Sequence, residues 1–404
     1  NSVINRYHQV ANARIERNSI IEAARITFGA GADAERSAPP IGSRFERNLI
    51  ANADGTDIVR FEGAVTGIAL ADNAKQAVKL ERAANGLLYP ADPALAGVGA
   101  PRDLVVLKRG EAGPAWYPKD APAAAAGREI AVPASEGALA KAVAATSAGD
   151  TVRIAAGTHR VAAPIPVAHP LTIAGPREAV IESATATLFQ LLPGGSIVLR
   201  GATLSGAASP AAAGNALVRA PQSVSTLNYT VKIENVAVRD LAAPAYDVIA
   251  TTPATFADTV EIRGSSFARI SGAVVAAAAE TGSKGLYSAE RVEIADSSFA
   301  DVATIATLAR LGTDESTFGP RFIMTGNSVS GGGAVRLSGV QWVEIARNRF
   351  ANAAGIEVAN SVGAPAVRIA DNRFAATPEP RIANLYKQGK PDVTLSGNIA
   401  VARP

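Results

Sequence analysis

One short phrase of apolar and polar positions recurs along the chain: apolar, any, apolar, any, any, small polar, any, apolar. It is clearest as Val343-Glu344-Ile345-Ala346-Arg347-Asn348-Arg349-Phe350 and again as Val367-Arg368-Ile369-Ala370-Asp371-Asn372-Arg373-Phe374. Looser copies centre on Ile15, Phe45, Ile233, Ile262, Ile294, Met324 and Leu395, and from Ile233 onward neighbouring copies lie 29, 32, 30, 21, 24 and 26 residues apart. The alternation of Val343 and Ile345 with Glu344 has the period of a strand with one face turned inward. Helical spacing fits these segments poorly, and β-branched residues dominate them. A unit of this length cannot bury its own apolar face and must stack on the next, which makes the chain a solenoid. The fold expected is all-β, a right-handed parallel β-helix in which each repeat is one coil.

The small polar slot supports that reading. Asn18, Asn48, Asn327, Asn348, Asn372 and Asn398 fall at the same place in their units, and Ser265 and Ser297 fill it in two others. Asparagine at a turn tolerates left-handed backbone and bonds nearby peptide groups. Stacked coil on coil, such residues form a side-chain amide ladder. These positions are expected to be structural rather than ligating or catalytic.

The rhythm divides the chain. Residues 1–70 hold two clear units, Ala13 to Ile20 and Ser43 to Ile50, with a further strand at Asp57 to Phe61; they read as the terminal coils of a β-helix truncated at its N-terminus. Over 71–128 the pattern lapses among Pro90, Pro93, Pro101, Pro114, Pro118 and Pro122, which suits a connector with a short strand at Leu104 to Leu107. A second parallel β-helix occupies 129–404. It opens with helical spacing over Glu136 to Ala148, where Leu139, Val143 and Ala144 share one face, so a helix is expected to cover the exposed end of the first coil.

Composition narrows the function classes. At 404 residues the chain is long for one compact core, but a solenoid core grows along its axis. A hydrophobic fraction of 48% with only 5% aromatics suits thin layers of Ala, Val, Ile and Leu. The chain has no cysteine, which excludes disulfides and thiolate metal sites. A formal net charge of +3 neither requires nor excludes a polyanionic partner. There is no basic run or nucleic-acid motif and no apolar run of roughly 18 residues, so neither nucleic acid nor a membrane is an expected partner. Residue 1 is Asn and no signal peptide is visible, so the chain reads as beginning in the middle of a domain.

Asn5-Arg6-Tyr7-His8-Gln9-Val10, followed by Ala13-Arg14-Ile15-Glu16-Arg17-Asn18-Ser19-Ile20, then Gly29-Ala30-Gly31-Ala32-Asp33 and Pro39-Pro40, resembles polysaccharide lyase family six, which holds alginate lyases and chondroitinase B. The second β-helix after a connector resembles the family's two-domain alginate lyases. The resemblance implies β-elimination on alginate, a uronic acid polymer: a lysine base removes the C5 proton, an arginine assists as acid, and a calcium ion neutralises the adjacent carboxylate as charge develops. In the family those groups lie on coils before the Arg-Tyr motif, at which this chain begins. The resemblance therefore implies that Ca2+ and the catalytic residues sit on a preceding segment, that the N-terminal half of the same enzyme is a partner, and that this chain alone is catalytically incomplete. It also implies a secreted or periplasmic bacterial protein and allows a homodimer.

Candidate substrate contacts are Arg6, Tyr7, His8 and Arg36. Arg6 would grip a uronate carboxylate with two bonds, and Tyr7 offers a ring to the sugar's apolar face. Alternation puts Arg6 and His8 on one strand face and Tyr7 on the other. His159 and His169, beside strands, read as structural. Trp116 with Tyr117 is either a stacking platform or a pin for the connector. The pairs Arg347/Arg349 and Arg368/Arg373 line the coil exterior, as a solvated face or a basic stripe. Two other readings stand beside the lyase: a non-catalytic module gripping acidic polysaccharide, and another uronan enzyme such as an epimerase or hydrolase. An inverting hydrolase would need aspartates clustered on one coil face. Asp296 and Asp371 instead occupy turn-side positions in separate coils.

Overall fold

The computed structural model describes residues 10–30, 39–52, 54–55, 57–62, 65, 67–75, 77, 79–107, 127–225, 227–282, 284–312 and 319–401. The chain forms two compact units, Asn1–Ala121 and Pro122–Pro404.

The larger unit is a parallel β-helix. Each coil gives one strand to an 11-stranded sheet and the rest to a 17-stranded sheet. Trp342–Ala346 lies in register on Arg321–Thr325 and on Ala366–Ala370, so Val343 stacks between Phe322 and Val367, and Ile345 between Met324 and Ile369. The alternation read from sequence thus becomes inward columns. Ile233, Ile262, Ile294, Met324, Ile345 and Ile369 follow one another coil by coil, all fully buried. Past the corner a second inward position stacks aromatic rings: Phe267 on Phe299 at 5.1 Å and Phe350 on Phe374 at 5.2 Å, both nearly parallel.

The polar slot forms the expected ladder. Asn348 Nδ2 donates to Met324 O at 2.9 Å and to Asn372 Oδ1 at 3.0 Å, while its Oδ1 accepts from the backbone and side-chain nitrogens of Asn327, each at 2.9 Å. Asn372 and Asn398 repeat the pattern, and Ser297 and Ser265 extend it by their backbone N–H groups. One expectation is corrected. The left-handed residue is the one before the slot, with φ of 58° at Arg347, 58° at Asp371 and 50° at Asp296, and glycine at 264, 326 and 397. The asparagine therefore supplies its amide to the neighbouring coils, and its predecessor makes the turn.

The capping helix runs over Ala138–Ala144, shorter than the periodic stretch, and buries Leu139 and Val143 over the first coils. Its following turn is tied down by Asp150. This buried carboxylate accepts from Ser147 N at 2.9 Å, Arg128 N at 2.8 Å and Arg128 Nη2 at 2.6 Å.

The smaller unit has a coil more than the sequence reading gave it. Arg14–Glu16, Ser43–Glu46 and Ile68–Ala71 form one parallel sheet, and Ser19–Ile21, Leu49–Ala51 and Ala74–Lys75 another. Its ladder continues from Asn18 through Asn48 to Asn73. The expected connector therefore starts with the end of a third coil, written in Ile68, Leu70 and Asn73. Beyond it the strands are Leu80–Arg82 and Leu88–Pro90, an antiparallel pair. Leu104–Leu107 is exposed and carries no strand, contrary to expectation, and pairs with no coil among the described residues. The segment before it crosses the coils instead, with Gly99 N donating to Arg47 O at 2.8 Å and Ala100 N to Ser19 Oγ at 2.9 Å.

Two outcomes follow. Asn348→Leu strands the buried amide of Asn327 and the Met324 carbonyl, at about 1–3 kcal/mol per group. Urea unfolding of that variant is expected to show a loss of about 3 kcal/mol or more, whereas Asn18→Leu, at an exposed rung whose Oδ1 takes no bond among the described residues, should lose under about 1 kcal/mol; equal losses would contradict the ladder's role. The Arg128 guanidinium, then the Ser147 N–H, holds the Asp150 carboxyl at about 2 against an ordinary 3.8. The stabilisation is full above the ordinary value and fades as pH falls towards about 2. A thermal midpoint followed over that window should fall more steeply in the native chain than in Asp150→Asn.

Candidate functional site

The four sequence-predicted contacts, Arg6, Tyr7, His8 and Arg36, lie outside the described residues, as do Trp116 and Tyr117. The described chain resumes just after the Arg-Tyr motif and is already in register: Ile41 N donates to Val10 O, and Asn12 N to Ile41 O, both at 3.0 Å. That register carries into the strand after it, whose outward positions are charged.

Arg14 stands directly beneath Arg44, both exposed, and Glu16 beneath Glu46. Parallel strands are about 4.8 Å apart, so the two guanidiniums are near neighbours of like charge. Glu16 is committed elsewhere. Arg47 Nη2 donates to it at 2.8 Å and, more than Arg14 does, holds its carboxyl below the usual range. Neither Arg14 nor Arg44 makes an ion pair among the described residues. Two stacked, solvated guanidinium forks can take two carboxylates in succession, each with paired N–H donors.

The exterior of the second unit is charged but mostly self-neutralised. Arg200 pairs with Glu234 at 2.5 Å, Lys232 with Glu261 at 2.9 Å, Arg291 with Glu293 at 2.5 Å, and Arg263 bridges Glu261 and Glu293. Lys232, then Arg263, holds Glu261 below its ordinary pKa. A groove of about 1130 Å³ runs along the first coils past Arg153, Arg200 and Asn235. Both its arginines are occupied, Arg153 by Glu129 and Arg200 by Glu234. Of the expected stripe, Arg368 is taken by Glu344 at 3.1 Å. Arg347, Arg349 and Arg373 are exposed without ion pairs among the described residues, and Arg349 and Arg373 stack in register.

Proton-transfer and metal-binding groups are not assembled on the described residues. None of the described lysines whose side chains are placed is buried. No group of three or more His, Asp or Glu among the described residues could hold a metal ion. His159 is buried, with Nε2 2.8 Å from Ala155 O, and His169 Nε2 lies 2.9 Å from Thr146 O, so both tie backbone rather than face a cleft. Asp296 and Asp371 sit at left-handed corners of separate coils, which gives no carboxylate pair.

One polar cluster was not legible in the sequence. Arg310, 1% exposed, donates to Gly285 O and Gly319 O, and its guanidinium lies 6.0 Å from the centre of the Tyr287 ring. The Tyr287 hydroxyl donates to Glu290 at 2.8 Å, and burial, with the Glu290 charge added, pushes its pKa up to about 12. The cluster clasps Lys284–Tyr287, which runs antiparallel to the long strand Ser298–Gly312. Its members come from segments distant in sequence, and no periodicity marks them.

Among solved structures the chain is similar to the PL6 family alginate lyase AlyGC, with a TM-score of 0.75 and 34% identity over 98% of this chain and 58% of that one. It is similar to an arginine-to-alanine variant of the same enzyme at 33% identity with equal coverage and TM-score. The chain thus spans 58% of the length of the solved alginate lyase it matches. No family model and no curated protein matches it significantly.

Proposed function

From the premise that this chain is related to polysaccharide lyase family six, we propose that the protein is a lyase that cleaves alginate by β-elimination. What carries the reading is the 34% identity sustained over 98% of the chain, which extends well beyond the short Arg-Tyr motif. In such a reaction a base takes the C5 proton, the electron pair forms the C4–C5 double bond, and the C4 oxygen departs with the leaving chain. Negative charge spreads onto the neighbouring carboxylate, so that group must be held and neutralised.

The part that described residues take in this reading is gripping the polymer. Arg14 and Arg44 present two guanidiniums one coil apart to successive uronates. Calcium would neutralise the reacting carboxylate, but no described cluster of carboxylates or histidines fits it, so no step is assigned through the ion here. The base and acid are likewise assigned to no described residue. Export to the periplasm or the medium belongs to the same reading, since the polymer is outside the cell. The second reading, a module that holds acidic polysaccharide without cleaving it, is favoured by the absence of a buried lysine among the described residues whose side chains are placed.

The test is absorbance of the unsaturated uronate in the ultraviolet after the whole protein is mixed with alginate. Product formation is expected, and Arg14→Ser with Arg44→Ser should raise KM roughly tenfold, equivalent to about 1.4 kcal/mol, with kcat little changed. Binding of alginate without any unsaturated product would favour the non-catalytic module. An unchanged KM would remove these arginines from the site.

A further inference from the structure

The outward face of the 11-stranded sheet is lined by charged residues, most of them joined in ion pairs across coils. Reading one outward column coil by coil gives Lys232, Glu261, Glu293, Ile323, Glu344 and Arg368. Ile323 is the one apolar residue in that run. On the same strand, Arg321 occupies the outward position two residues earlier, and the residue in register with it on the next coil is Trp342. Trp342 is 48% exposed, although its neighbour Val343 is buried. An indole so placed leaves a large apolar surface in water that the fold itself does not use.

Arg321 is the exception among the basic residues of this sheet. Arg153, Arg200, Lys232, Arg263, Arg291 and Arg368 each pair with a glutamate, whereas Arg321 makes no ion pair among the described residues. The glutamates nearest in register are already taken: Glu293 by Arg263 and Arg291, and Glu344 by Arg368. The guanidinium is therefore surrounded by satisfied carboxylates, and its five donors face solvent. The next outward position after Trp342 is the small Ala366, which leaves the ring open on that side.

We propose that Trp342 and Arg321 form a sugar-binding site for a uronate residue of an acidic polysaccharide, on the second β-helix. The pyranose ring lays its apolar C–H face on the indole, and the uronate carboxylate takes the fork of Arg321 one coil away. A neutral sugar would use only the platform, and a simple anion only the fork, so the pair together selects a sugar that carries a carboxylate. The choice of alginate as probe rests on the lyase reading; the site itself rests on Trp342 and Arg321.

The chain has only two tryptophans, so Trp116→Phe leaves Trp342 as the sole indole reporter. Its fluorescence is titrated with short alginate oligosaccharides and, in parallel, with neutral oligosaccharides of the same length. A saturable change with alginate is expected, weakened at least tenfold by added Arg321→Ser and weakened by salt, while the neutral sugar gives at most a small change. Trp342→Phe, with alginate binding followed by calorimetry, should lose at least tenfold in affinity without shifting the thermal midpoint, which shows that the coil is intact. No saturable response to alginate, an equal response to the neutral sugar, or a response that survives Arg321→Ser would overturn the proposal. The lyase reading fails on a different readout, the absence of unsaturated product, so the two failures are told apart.

Discussion

The interaction on which everything else depends is the buried amide ladder at the coil corner. A parallel stack has no intrinsic mark for register, and slipping by one residue would turn every inward side chain outward. Asn327, Asn348 and Asn372 remove that freedom, because each amide must meet both the backbone carbonyl of the coil before it and the amide of the coil after it. A slipped coil would leave those groups buried and unpaired. With register fixed, the aliphatic columns and the aligned phenylalanine rings follow as packing consequences.

The same register sets the chemistry of the exterior. Outward residues recur at the coil spacing, so like charges placed in one column repel their neighbours. Over much of the second unit arginine or lysine and glutamate neutralise each other across coils. Exposed pairs of this kind add little stability. Their effect is to leave a surface with few free donors, against which Arg14/Arg44, Arg349/Arg373 and Arg321 beside Trp342 stand out. Stacked or uncompensated guanidiniums are unfavourable for the fold alone and suited to a polymer that carries a carboxylate on every sugar.

Much of this was legible in the sequence, and the reasons are specific. Val343, Ile345, Asn348 and Phe350 announce a coil because a β-helix repeats its inward positions, and the same phrase located the ladder. The turn itself was misplaced by one residue, since the recurrent asparagine drew the reading away from the position before it, where glycine stands at 264, 326 and 397 and aspartate, which also tolerates left-handed backbone, at 296 and 371. The coil ending at Lys75 was missed although Ile68, Leu70 and Asn73 spell the phrase, because its flanks lack a second apolar anchor. Arg310 with Tyr287 was invisible, being assembled by contacts between remote segments. Arg14 and Arg44 were visible only as residues inside a motif; their pairing needed the register. Arg6, Tyr7, His8 and Arg36 fall outside the described residues, so the sequence remains their sole argument.

Native-state hydrogen exchange along the ladder tests the central claim most directly, because exchange reports the free energy of opening rung by rung. The account predicts that the backbone amides of Ser297, Asn327 and Asn348, which donate to the next rung's side chain, belong to the slowest-exchanging class, with protection falling towards Asn372 and its half-exposed neighbour Asn398. Exchange at Asn327 and Asn348 as fast as in the exposed Leu104–Leu107 segment would contradict it.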